Sequence, residues 1–120
     1  MKKILIAVTM ALVVSACSKH DPLHDSMESM GEAFKAMRKT DDLVTIKQQW
    51  LDFKKSANIA KVQQVKPEDQ PAFDEGMNKL SDAITQIDRA LEDNNLIAAK
   101  AAMKQLGEVR KKYHDKLGID

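Results

Sequence analysis

From residue 22 onwards the apolar residues of this chain recur every three or four positions, in four separate runs, and nowhere alternate one-in-two as a half-buried strand would. The first run is Leu23, Met27, Met30, Phe34 and Met37, with Pro22 placed where a first helical turn accepts proline. Thr40 or Asp41 is the expected N-cap of a second helix carrying Leu43, Ile46, Trp50, Phe53, Ala57 and Ala60. Gln63 to Pro71, with Pro67 and Pro71 inside it, reads as the one long loop, and Glu68 and Asp69 suit the start of a third helix. That helix carries Phe73, Met77, Leu80, Ile84, Ile87 and Leu91. Asp93-Asn94-Asn95 is a short break of capping residues, after which Leu96, Ala99, Met103, Leu106, Val109, Tyr113 and Leu117 form a fourth stripe ended by Gly118. The short links at 38–41 and 93–95 make sequential helices antiparallel neighbours. The predicted architecture is all-α, an antiparallel up-down-up-down four-helix bundle over residues 23–118.

The first residues follow a different pattern. Lys2 and Lys3 precede an apolar run from Ile4 to Val14, broken only by Thr9, and Val14-Ser15-Ala16-Cys17 closes it. The run is too short to span a bilayer and has the layout of a secretory signal. The residue types before Cys17 are those of a bacterial lipobox, which predicts a signal peptide over residues 1–16, and a lipidated Cys17 with its tether over 17–22. Acyl chains contribute about 0.8 kcal/mol per buried methylene, enough in pairs for firm anchoring. A tether from Ser18 to Pro22 extends at most about 17 Å, so the domain is expected close to the lipid surface. The sorting expected after Cys17 is to the outer membrane, because Ser18 and not Asp follows it.

Charge narrows the function classes. The chain has 19 basic and 18 acidic residues, and loss of Lys2 and Lys3 with the signal leaves 17 against 18. No basic patch points to nucleic acid. With one cysteine, neither a disulfide nor the paired cysteines of a c-type haem attachment is possible. No nucleophile with a nearby base, no pair of inward carboxylates and no phosphate loop is visible, so no enzyme is expected.

In an up-down bundle the start of the first helix and the end of the fourth lie at the same end, which brings Met27 towards His114. A thioether and an imidazole are the axial pair that holds low-spin haem iron and raises its potential, and bundle cores are recurrent cofactor sites. Each residue has a plainer reading. Methionine at helical spacing is common core filler, and Met30, one turn later, is a competing donor. Histidine in a last turn is favoured by the helix dipole alone. Arg110 could simply balance Glu108 or the dipole. His20 and His24, with Asp21 and Asp25, have i,i+4 metal-site spacing, but His20 precedes Pro22, where helix geometry is disfavoured.

Asp25-Ser26-Met27-Glu28, together with Gln105-Leu106 and the closing Arg110-Lys111-Lys112-Tyr113-His114, resembles the cytochrome b562 family. Phe73, Gly76 and Leu80 fall on a Phe, a Gly and a Leu of that family, while Met77 stands where a second aromatic is often found. The resemblance covers the whole mature chain, with a shortened middle loop. It implies one haem b, held non-covalently by Met27 and His114. Arg110 is implied as the propionate partner, Tyr113 as a residue beside the haem edge, and Phe73 and Met77 as its wall. Leu23, Met30 and Phe34 are implied for the other side. Lys116 is the one basic residue after the His turn left to assist a propionate. The implied function is a periplasmic-side carrier of single electrons to a transient redox partner protein. The alternative is a haem-free envelope lipoprotein acting as a binding or stress-related module.

Overall fold

The computed structural model describes residues 21–118. Four helices account for nearly all of it: α1 (Pro22–Arg38), α2 (Leu43–Lys61), α3 (Gln70–Glu92) and α4 (Leu96–Leu117). The signal peptide and Cys17 predicted above lie outside the described residues.

Local chemistry sets the helix ends. Asp21 caps α1, its carboxylate accepting from the Leu23 N–H at 3.1 Å. The cap of α2 is Asp42, one residue beyond the expected Thr40 or Asp41; its carboxylate accepts from the Thr45 N–H at 3.3 Å and the Thr45 hydroxyl at 2.6 Å. Thr40 supports it from outside, its hydroxyl accepting from the Asp42 N–H. The middle loop is shorter than expected, because α3 begins at Gln70 and takes Pro71 into its first turn, where a missing N–H costs nothing. Asn95 caps α4 through the Ala98 N–H at 3.0 Å, and Gly118 closes it in the left-handed region at φ 69°.

Each helix buries the stripe read from the sequence. Met37, Ile46, Ile87 and Met103 are the largest fully enclosed side chains, one from each helix. Small residues line the same interior, among them Ala33, Ala57, Ala60, Ala83, Ala90, Ala99 and Ala102. Close backbone approach occurs mainly within the α1–α2 and α3–α4 hairpins, while α2 meets α3 and α1 meets α4 to close the ring of four.

Two polar contacts bind the hairpins together. The Trp50 indole N–H donates to Asp88 at 2.6 Å, and Lys54 reaches the same oxygen at 2.9 Å, joining α2 to α3. Lys100 of α4 donates to the carbonyls of Met37, Arg38 and Thr40, supplying partners to the unpaired end of α1. Among the described residues no buried side-chain polar atom lacks a partner, and no helix is long and apolar enough to cross a membrane.

Candidate cofactor cavity between the helix ends

The alternating direction of the helices gathers the start of α1, the end of α2, the start of α3 and the end of α4 at one end of the bundle. A cavity of about 350 Å³ opens there, within the roughly 300–1,000 Å³ usual for small-molecule and cofactor sites. Met27, Phe73, Met77, Arg110, Tyr113 and His114 all line it. So do Leu23, Met30 and Phe34 from α1.

Met27 and Met30 lie on one face of α1, a turn apart. Met27 is half-buried and Met30 buried. His114 faces the cavity from the last turns of α4 and is half-buried. Burial and then the positive charge of Arg110 hold its imidazole below the ordinary histidine range, against a smaller opposing pull from Asp115. Both effects favour the neutral ring, the form whose nitrogen lone pair is free to bind a metal.

The positive groups near His114 divide into two roles. Arg110 is exposed at the cavity rim, its guanidinium near Gly31 of α1, with no ion pair to Glu108 or to any other carboxylate among the described residues. Lys116 is not the spare cation expected from the sequence: its ammonium pairs with Glu75 at 3.3 Å. Tyr113 turns the same way. Its buried ring packs on Gly76 and its hydroxyl donates to Glu75 at 2.8 Å, so the phenol fixes α4 to α3 while its ring lines the cavity. Nothing in the local sequence pattern signals these pairings of Glu75.

Two small residues widen the space. A Cβ on Gly107 would come within 3.4 Å of Phe34, and one on Gly76 within 2.9 Å of Tyr113. Phe53, Val65, Asp69 and Leu106 complete much of the remaining wall. His24, paired with His20 in the sequence reading as a possible metal site, instead lines this cavity from the first turn of α1. His20 lies outside the described residues, among which no cluster of three or more His, Cys, Asp or Glu is arranged to hold a metal ion.

Comparison with curated proteins finds no match to the chain. The family model of cytochrome b562 matches residues 22–117, the span of all four helices and the cavity between their ends. On that match the chain belongs to the cytochrome b562 family, whose members are haem-binding electron carriers.

Proposed function

We propose that this protein is a b-type cytochrome of the cell envelope, holding one haem non-covalently between Met27 and His114 and carrying single electrons. The observation that carries this reading is the convergence, in one mainly apolar cavity, of a thioether from α1 and an imidazole from α4.

The donor set fits the group. One soft sulfur and one imidazole are the axial pair of electron-transfer haems. Phe73, Met77, Leu80 and Leu106 supply apolar wall on which a flat macrocycle would pack. Arg110, without a carboxylate partner among the described residues, is placed to meet a propionate. When bound, haem would supply a reversible one-electron couple, with Met27 and His114 as the residues that would hold its iron. The protein's contribution is to favour the neutral form of His114, to present Met27 from the neighbouring helix α1, and to enclose both donors in part with α1 and α3 side chains.

The sequence supports non-covalent attachment, since a single cysteine cannot form the paired thioether links of a c-type haem. The signal-like first sixteen residues and Cys17 support an anchor on the periplasmic side, with the outer membrane favoured by Ser18. The redox partner would dock over a small area and leave quickly, as electron-transfer encounters do.

The test is reconstitution of the purified protein with haemin, reduction with dithionite, and comparison of its visible spectrum with that of His114→Ala. Sharp α and β bands present in the wild type and lost in the variant are the expected result. A broad, weak Soret band in both would overturn the cytochrome reading and leave a haem-free bundle.

A further inference from the structure

Of the three histidines in the chain, two fall among the described residues, and both line the same cavity. His24 lies three residues before Met27 on α1, which places the two on one face of the helix about 4.5 Å apart along its axis. Both therefore address the cavity that His114 faces from α4.

His24 is lightly held. Its side chain is 74% exposed, and it can pair with Glu28, at 3.8 Å and itself 62% exposed, only when its ring is protonated. Such pairs are weak. It sits in the first turn of α1, where the helix has the fewest intrahelical bonds and depends on the Asp21 cap. Met27, by contrast, is half-buried and packs against the core. An exposed imidazole and a core-packed thioether thus stand one turn apart on α1, and both line the cavity that His114 faces from α4.

Resting on the haem reading above, we propose that His24 is a second axial donor, taking the place of Met27 opposite His114 when the iron is ferric and yielding it back when the iron is ferrous. Donor chemistry sets the direction: the harder ferric ion favours imidazole nitrogen, and the softer ferrous ion favours thioether sulfur. In the exchange one iron–sulfur bond breaks and one iron–nitrogen bond forms, and any proton on the binding nitrogen passes to solvent. That exchange accompanies oxidation, in which the iron gives its electron to an acceptor protein; an electron delivered by a donor protein reverses it, re-forming the iron–sulfur bond and releasing the imidazole. The consequence is a carrier whose oxidised and reduced forms hold different α1 side chains, so that electron uptake is coupled to a rearrangement of the first helical turn.

The experiment uses the full chain reconstituted with haemin, as wild type, His24→Gln, Met27→Ala and the Met27→Ala/His24→Gln double variant, with circular dichroism to check that each is folded. Ferric samples are read by low-temperature electron paramagnetic resonance and by the near-infrared sulfur-to-iron charge-transfer band; potentials are read by spectroelectrochemistry. The expected result is a ferric wild type with bis-imidazole resonances and no sulfur band, a sulfur band that emerges in His24→Gln, and a higher potential in that variant. Met27→Ala should keep the low-spin ferric signal, and the double variant should lose it. A sulfur band already present in ferric wild type, with His24→Gln unchanged in spectrum and potential, would overturn the proposal. His114→Ala separates this failure from that of the parent reading: low-spin haem lost in His114→Ala but indifferent to His24 sinks only the exchange, whereas indifference to His114 sinks both.

Discussion

The ring of Tyr113 occupies the space that a side chain on Gly76 would need: a Cβ built there stands 2.9 Å from Cγ and 3.0 Å from Cδ1 of the tyrosine. The contact lets α3 and α4 approach closely beside the cavity and positions the residue that precedes His114. Gly76→Ala forces the ring or the backbone to move, and the ring has little freedom because its hydroxyl is held by Glu75. Overpacking of this kind costs about 1–3 kcal/mol, set against a helix-propensity gain near 1 kcal/mol. Thermal and urea denaturation should show a less stable protein. Gly31→Ala is the control, since its Cβ would meet only the mobile guanidinium of Arg110 at 3.9 Å. That variant should be neutral or slightly more stable.

Glu75 links stability to acid. Hydrogen bonds from Tyr113 and then Lys116, with the positive charges of Lys116 and Lys112, hold its carboxyl below the ordinary value of 4.5. A folded-state pKa below the unfolded one means that the unfolded chain binds more protons in between. The stabilisation is complete above pH 4.5 and is lost as pH falls through the depressed folded value. Melting temperatures recorded between neutral and strongly acidic pH should therefore fall less steeply in Glu75→Gln than in wild type within that acidic window. Parallel curves would refute the linkage.

The indole of Trp50, 3% exposed, donates to a carboxylate that also holds Lys54. Trp50→Phe removes the donor but leaves Asp88 paired, a change expected to cost about 0.5–1.5 kcal/mol beyond the lost packing. Asp88→Ala leaves the indole N–H without a partner, which costs about 1–3 kcal/mol. Urea titrations of the two variants and their double mutant should return a coupling energy between the sites; strict additivity would mean that the hydrogen bond contributes nothing.

Arg110 should matter for haem affinity more than for folding. It is exposed, forms no ion pair among the described residues, and stands on the cavity lining. Arg110→Gln should weaken haemin binding about five- to tenfold, or ~1–1.4 kcal/mol, with the difference shrinking at high salt. Stability without haem should be unchanged. An unaltered affinity would show that the guanidinium meets no propionate.

Met27→Ala should lower the reduction potential, because thioether ligation favours the reduced iron. Potentiometric titration of the reconstituted variant checks this. If Met30→Ala lowers the potential and Met27→Ala does not, the donor is the next methionine along the same face.

The bundle itself is a local property of the sequence. Stripes at three- and four-residue spacing, three prolines confined to positions outside helix interiors, and capping residues such as Asn95 and Gly118 each act within a few residues of themselves. Element type and order are therefore readable without any knowledge of packing. The fine choice of cap was less legible, because Thr40, Asp41 and Asp42 are all competent, and only backbone geometry selected Asp42. The convergence of Met27 and His114 on one end followed from helix count and link length alone. What the sequence could not decide was which partners meet across that end. Lys116 answers to Glu75, 41 positions away, Tyr113 to Glu75 and Gly76, and Lys100 to the end of α1 some 60 positions back. Those pairings depend on the rotation and rise of each helix against its neighbour, quantities that periodicity leaves open and that side-chain packing settles only when all four helices are in place.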